Sequence, residues 1–173
     1  VAEVAAAMGA MVPWMRPASL SSDKAQTPDA AIHALEWYES NIGAVDAVIL
    51  LQPTSPFRTL SSIKQGIDLF EKHPRCSIIS VSEATTHPWW TLKLENGHLT
   101  KFFNNDGLNL RSQDLPPAYS VNGAFYMTQP NSLKSHRSFY TECMVPLTLS
   151  DKKELVDIDT LADLKFAEFC LDN

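Results

Sequence analysis

The sequence predicts an α/β fold built on a mainly parallel β-sheet. Residues 46–51 form a continuous apolar stretch, which is typical of a strand buried on both faces. A loop with two prolines, a helical pattern over about 60–72 and a second buried strand at 76–81 follow, and this order predicts a right-handed parallel crossover. A predicted hairpin at 91–103, with its turn at Asn96-Gly97, interrupts the pattern and indicates an inserted element.

The other elements follow from apolar periodicity and from signals at helix ends. The first residues are typical of a helix that stops at Gly9. Thr27-Pro28 marks another helix start, with a capping hydroxyl and then proline at the first helical position. Further predicted elements are strands at 121–127 and 143–149, a short helix at 129–135 and a last helix at about 161–171. The chain, 1–173, is predicted to be one domain with an insertion at about 86–118.

Composition narrows the possible partners and surroundings. The 173 residues are 45% hydrophobic and 20% charged, which suits a globular domain with a core. The net charge of −6 and the lack of a Lys/Arg cluster argue against nucleic acid as a partner. The longest apolar runs, such as 44–51, are too short to span a membrane. Cys76, Cys143 and Cys170 are odd in number, far apart and without zinc-site spacing, which suggests a reducing compartment and a cytoplasmic protein.

Two carboxylates near the C-terminus are the most informative local feature. Asp157 and Asp159 stand at the end of a β-branched stretch that is predicted to be a strand, so both side chains project from the same face. The segment offers them no basic partner on that face. Such a pair requires solvent or a cation, and carboxylate oxygens suit Mg²⁺. The alternative is a solvated acidic turn before a helix that Thr160 caps.

A polar cluster directly follows the first apolar strand. Gln52, Thr54 and Ser55 lie in a loop that two prolines stiffen, so their positions are set before any ligand arrives. Such groups suit a polyhydroxylated ligand, because sugars need both donors and acceptors. The alternative is a rigid connection whose hydroxyls cap the next helix, and this reading is favoured for Thr59.

Three further segments carry weaker indications. Asn122-Gly123 at a strand entry indicates either a bulge or a close approach of the backbone to a ligand, with Asn122 and Tyr126 lining it. The loop from Arg16 to the helix start at Thr27, with Ala25 between them, offers amides that can meet an anion or a base edge. The segment 87–90, His-Pro-Trp-Trp, is more typical of packing or an interface than of catalysis.

Taken together, these segments resemble the CMP-sialic acid synthetases, which are the acylneuraminate cytidylyltransferases. The match runs in order along nearly the whole chain, and the joint order is more specific than any single motif. The matching stretches are Arg16-Pro17 with Ser22-Asp23-Lys24-Ala25, the run from Leu50 to Thr59, the run from Gln113 to Tyr119, the run from Asn122 to Tyr126, and Val156-Asp157-Ile158-Asp159-Thr160.

The resemblance implies a Rossmann-like nucleotidyltransferase domain with an inserted β-hairpin dimerisation element, and therefore a homodimer. It implies transfer of CMP from CTP to a sialic-type keto acid sugar with release of pyrophosphate. Asp157 and Asp159 would hold Mg²⁺ and act in catalysis. The substrate-binding residues implied for the sugar are Gln52, Thr54, Ser55, Asn122 and Tyr126, and those implied near the cytidine are Arg16, Ala25 and Thr27.

The sequence also departs from the family pattern. The family opens with a strand and a Gly/Arg/Lys-rich loop that clasps the CTP phosphates, and this sequence begins after that point, so we expect weak or no CTP turnover by the chain alone. The family pattern has a basic residue at the position that Ser112 occupies in this sequence. Arg111 or Arg137 would have to take over the role of that basic residue. The alternatives are a non-catalytic sugar- or nucleotide-binding module and an interaction protein. The resemblance leaves open which keto acid sugar is the substrate: sialic, pseudaminic or legionaminic acid, or an eight-carbon relative.

Overall fold

The computed structural model describes residues 1–22 and 24–172, so Asp23 of the first matching stretch lies outside the described residues. The chain forms a mixed α/β structure. The helices are α1 (Ala2–Ala7), α2 (Thr27–Asn41), α3 (Leu60–Lys72), α4 (Pro130–His136) and α5 (Leu161–Asp172). The strands are β1 (Val48–Leu50), β2 (Ser77–Glu83), β3 (Leu92–Glu95), β4 (His98–Lys101), β5 (Tyr119–Thr128) and β6 (Met144–Thr148).

The main sheet is mixed, and the prediction of a mainly parallel sheet is wrong for its pairing. The strand order is β1-β5-β2-β6. β5 pairs antiparallel with both β1 and β2, whereas β2 pairs parallel with β6. The expected crossover from β1 through α3 to β2 therefore joins strands that run in the same direction but are not neighbours. β5 returns after the insertion and takes the place between them.

The sheet has a helical layer and an apolar cluster on each face. On one face, Tyr126 of β5 packs with residues of α2 and α4, including Leu35 and Leu133. On the other face, Phe125 packs with Phe70 of α3. Successive residues of β5 thus serve opposite faces, as the pleat requires. Both faces of the second half of this strand, 124–128, are buried, whereas its first residues, 119–121, are exposed.

Most element predictions are confirmed, with changes at the ends. The predicted strand at 46–51 is shorter, and Thr27 is the first residue of α2 and makes no side-chain cap. The hairpin is confirmed: β3 and β4 form a separate sheet, and their turn places Asn96 at φ 52° and Gly97 at φ 79°. Both values suit a two-residue turn of the kind that Asn-Gly favours.

The sequence predicts a reducing compartment and therefore reduced cysteines, and this is wrong for two of the three residues. Cys76 and Cys143 form a disulfide with their Cα atoms 4.7 Å apart. They directly precede β2 and β6, and the Ser77 amide donates to the Cys143 carbonyl at 2.9 Å. Because the sequence separates them by 67 residues, only the parallel pairing of the two strands brings them together. Within the described part of the chain, no helix is long and apolar enough to cross a bilayer.

Candidate functional site

The loop after β1 is held by one arginine. The Arg58 guanidinium donates through Nη1 to the Gln52 carbonyl at 2.7 Å and also to the Ser55 carbonyl. The Ser55 amide closes a turn onto the Gln52 carbonyl at 3.2 Å. Burial lowers the pKa of Arg58 from its ordinary value. A charged donor shared by two carbonyls is a strong restraint, so it fixes the backbone that carries the polar side chains of this loop.

A bulge in β5 faces this loop. The pairing of β2 with β5 shifts register between Ile79 and Val81, and Gly123 within the shifted part of β5 has φ +76°. A Cβ atom on Gly123 would lie 3.5 Å from the Ser55 hydroxyl oxygen, so the bulge of β5 contacts the loop after β1 there. The bulge interpretation of Asn122-Gly123 is therefore confirmed. The ligand interpretation of the same residues stays a prediction.

Two buried polar atoms at this contact have no hydrogen-bond partner among the described residues. They are the Ser55 hydroxyl, on a side chain that is 1% exposed, and the Asn122 Nδ2 amide. The Asn122 Oδ1 atom accepts from the Ala124 amide at 3.3 Å, which leaves the Nδ2 donors directed elsewhere. Buried polar groups are nearly always paired. Two adjacent exceptions indicate a place where a ligand or solvent supplies the missing partners.

Tyr126 joins the loop, the bulge and the acidic segment. Its hydroxyl lies 3.4 Å from the Tyr140 hydroxyl. The pKa of Tyr126 is raised, first by burial, then by Tyr140 and by the negative charge of Asp157, while a hydrogen bond with Gln52 opposes the rise. Gln52 and Asp157 are thus both close enough to Tyr126 to influence its hydroxyl. Tyr126 keeps its proton at neutral pH and is available as a donor.

The acidic segment is not a strand, which corrects the expected setting of Asp157 and Asp159. Residues 156–158 are irregular and a bend at 159–160 leads into α5. The Ile158 amide donates to the Thr54 carbonyl at 2.9 Å and makes the contact that a strand neighbour would otherwise make. Asp157 and Asp159 are exposed and Ile158 is half-buried, so the in-out alternation persists without a strand.

The carboxylate pair is chemically suited to magnesium. None of the four ion pairs among the described residues involves Asp157 or Asp159. The described residues also contain no group of three His, Cys, Asp or Glu side chains able to hold a metal alone. Mg²⁺ typically binds through one or two carboxylates, with water and substrate phosphates completing its shell. Two carboxylates without ion pairs, next to the loop after β1, fit that pattern.

Thr160 and Asp163 form the start of α5. The Asp163 carboxylate accepts from the Thr160 amide and hydroxyl, both at 2.7 Å, and from the Asp159 amide at 3.2 Å. The Asp163 amide donates back to the Thr160 hydroxyl at 3.3 Å. These bonds lower the pKa of Asp163, chiefly the side-chain bond with Thr160. The helix-cap interpretation is therefore confirmed for Thr160, and it leaves the Asp157 and Asp159 carboxylates unused.

The residues predicted near a nucleotide make their described contacts elsewhere. Arg16 is exposed and lines a separate cavity of about 340 Å³ with Trp14. The Ala25 amide donates to the Ser22 carbonyl at 2.9 Å, and Thr27 begins α2. No hydrogen bond or ion pair among the described residues connects Arg16, Ala25 or Thr27 to the loop after β1, the bulge of β5 or the acidic segment. Their assignment to a nucleotide site stays a prediction.

The two arginines considered as replacements for a basic residue are both engaged. Arg111 is exposed and its Nε lies 2.8 Å from the Asp114 carboxylate. Arg137 pairs with Asp29, which ties the end of α4 to the first turn of α2. Neither residue makes an ion pair or hydrogen bond with the loop after β1, the bulge of β5 or the acidic segment in the described part of the chain. A substrate role for Arg111 stays a prediction.

Sequence reasoning missed Glu154. This side chain is 8% exposed and accepts from the Thr59 amide and hydroxyl at 3.0 Å each and from the Ser62 hydroxyl at 2.5 Å. Thr59 caps α3, as expected, by accepting from the Ser62 amide at 3.1 Å. In the sequence Glu154 follows Lys152-Lys153 and has the appearance of a solvated charge. Arg58 was visible within the proline-rich motif, but its contacts could not be inferred from it.

Comparison with known proteins gives consistent relatives. No model of a protein family matches the chain. It is 32% identical over 169 residues to a CMP-N,N'-diacetyllegionaminic acid synthase of Legionella pneumophila, covering 97% of this chain and 72% of that protein. It is 29% identical over 175 residues to a pseudaminic acid cytidylyltransferase of Campylobacter jejuni, covering 97% and 72%. It is 31% identical over 150 residues to an N-acylneuraminate cytidylyltransferase of Streptococcus agalactiae, covering 86% of this chain but 35% of that protein.

Proposed function

This chain belongs to the family of cytidylyltransferases that act on nonulosonic acids, and we propose that its residues form part of a site for the transfer of CMP from CTP to a sialic-type keto acid sugar, with release of pyrophosphate. The observation that carries the proposal is the contact between two distant motifs. The Ile158 amide bonds to the Thr54 carbonyl, and this sets Asp157 and Asp159 beside the loop that begins at Gln52. A carboxylate pair and a group of polar side chains that suit a sugar are the two halves that this reaction needs.

The sugar half of the site is proposed to lie between the loop after β1 and the bulge of β5. Ser55 and Asn122 offer unpartnered buried groups, and Gln52 and Tyr126 offer an amide and a protonated hydroxyl. A polyhydroxylated acid presents donors and acceptors on several sides, so it can satisfy all four. Thr54, whose carbonyl is engaged with Ile158, is proposed to contribute its hydroxyl.

The phosphate half is proposed to lie at the acidic segment. Asp157 and Asp159 would hold Mg²⁺, which when bound offsets charge on the phosphates and assists attack of the anomeric hydroxyl on the α-phosphorus. The two carboxylates are exposed and free of ion pairs within the described residues, so they can meet an incoming metal–nucleotide complex. Arg16, Ala25 and Thr27 are proposed to line the path of the cytidine, and Arg111 to approach the substrate acid.

A homodimer formed through the hairpin is also proposed. Leu94 of β3 and Leu99 of β4 stand opposite each other and are 73% and 68% exposed. Exposed apolar pairs on a protruding hairpin are suited to a partner surface. Sedimentation of the chain and of a Leu94→Glu/Leu99→Glu variant tests this: we expect a dimer and a monomer, respectively. A wild-type monomer at concentrations of about 100 µM would contradict it, since stable interfaces hold in that range.

The reaction is tested by binding and turnover in parallel. Calorimetric titration with CTP and Mg²⁺, and separately with N-acetylneuraminic, pseudaminic and N,N'-diacetyllegionaminic acid, identifies the ligands, and pyrophosphate release reports transfer. Asp157→Asn and Asp159→Asn are expected to abolish Mg²⁺-dependent CTP binding. Glu168→Gln, the same change at an exposed carboxylate of α5, is the matched control. Binding of the sugar alone would instead support a non-catalytic module, and binding of neither would refute both.

A further inference from the structure

Glu154 connects the acidic segment to the start of α3. One oxygen of this buried carboxylate, Oε1, accepts all three hydrogen bonds from Thr59 and Ser62. Burying a carboxylate is costly unless donors compensate for the lost water, and the positive end of a helix adds to that compensation. Both kinds of compensation are present here. The contact joins residues that are 92 and 95 positions apart in the sequence.

The chain between Glu154 and Asp159 is anchored both before and after Asp157. Leu155 packs against the apolar cluster beneath α3, and Val156 is buried. After Asp157, the Ile158 amide binds the Thr54 carbonyl. The segment 154–158 therefore spans from one end of the loop, at Thr59, to its middle, at Thr54. Asp157 lies on this short span, with an anchored residue before it and another after it.

We propose that Glu154 is a positioning residue for the metal-binding carboxylates. Its contact with Thr59 sets where the span begins and thereby sets how Asp157 and Asp159 are placed relative to the loop after β1. This inference rests on the proposed function, because it takes these two carboxylates as the metal ligands. Groups that orient metal ligands commonly contribute about ten- to hundredfold to metal affinity or activity, although they never touch the metal.

The test compares Glu154→Ala and Glu154→Gln in the full chain. We measure Mn²⁺ affinity in the presence of CTP by electron paramagnetic resonance, and hydrogen exchange of the Ile158 amide by NMR. Glu154→Ala is expected to weaken Mn²⁺ binding about tenfold and to accelerate Ile158 exchange. Glu154→Gln retains an acceptor oxygen at the same place, so it is expected to restore most of both properties.

Two controls separate positioning from general stability. Glu39→Ala removes a partly buried carboxylate that pairs with Lys134 at 2.5 Å between α2 and α4, and it is expected to leave both measurements unchanged. Asp157→Asn/Asp159→Asn tests the metal assignment itself. If that variant binds Mn²⁺ normally, the proposed metal site fails, and Ile158 exchange still decides whether Glu154 anchors the segment.

The outcomes that overturn the inference are specific. If Ile158 exchange is unchanged in folded Glu154→Ala, Glu154 does not hold the segment. If exchange rises but Mn²⁺ affinity stays at the wild-type value while Asp157→Asn/Asp159→Asn loses it, Glu154 is structural only. If Glu154→Ala does not fold, Ser62→Ala, which removes the 2.5 Å bond to Glu154 and the 2.9 Å contact with the Thr59 hydroxyl, is read by the same criteria with a smaller expected shift.

Discussion

Reduction of the Cys76–Cys143 disulfide is expected to destabilise the fold by an amount that the chain length between the cysteines sets. The bridge closes a loop with a sequence separation of 67 residues. The chain-entropy relation for a loop of that size gives about 4 kcal/mol at 25 °C. The ladder of β2 and β6 and the bond from the Ser77 amide to the Cys143 carbonyl do not depend on the bridge, so we expect the native strands to stay paired.

Urea unfolding with and without dithiothreitol measures this effect. With a slope of roughly 2 kcal/mol per M urea, the midpoint is expected to fall by about 2 M on reduction. A Cys76→Ala/Cys143→Ala variant should unfold at the lower midpoint in both conditions. Cys170→Ser, which changes the free cysteine, should still respond to the reductant. Equal midpoints for the wild-type chain with and without reductant would refute the reasoning.

Three further predictions follow from single contacts. Gly66→Ala is expected to lower the free energy of unfolding by about 1–3 kcal/mol, because a Cβ there would lie 2.6 Å from the Phe125 ring; an unchanged urea midpoint would contradict this. The depressed pKa of Asp163 means that its contribution to stability is present above its ordinary value of 3.8 and is lost as the pH falls through the folded value. In Asp163→Asn, the helix signal of α5 should therefore no longer depend on acid pH. If the variant keeps the pH dependence of the wild type, the Asp163 cap is not the source of that dependence. Tyr126 is expected to ionise above its ordinary pKa of 10.0, so the 295 nm difference between wild type and Tyr126→Phe should appear only beyond that pH.

Local signals were sufficient for most elements of the fold. The Asn96-Gly97 turn and the amphipathic pattern of 60–72 each depend on neighbours in the sequence, and both are confirmed. The placement of β5 between β1 and β2 depends on pairing across the insertion, which no local pattern encodes. The Cys76–Cys143 bridge could not be predicted for the same reason, because it requires β2 and β6 to be neighbours in the sheet.

The candidate site shows the same division. The sequence identified Gln52 and Asp157 by their residue types, because polar groups after an apolar strand and paired carboxylates are locally visible. It could not identify the residues that hold these groups in place. Arg58 acts on backbone carbonyls, and Glu154 acts on a helix start far away in the chain. A charged side chain that is buried against a distant partner looks the same in sequence as one that faces water.

The central position of β5 also determines when the fold can assemble during synthesis. β1 and β2 have no pairing with each other, and β5, which pairs with both, follows the whole hairpin insertion. A ribosome that has released only the residues up to β4 therefore presents two apolar strands without their common neighbour. Such non-local pairing is slow, and exposed strand edges favour aggregation in the interval. Until β5 emerges, β1 and the edge of β2 that faces it lack their native partner.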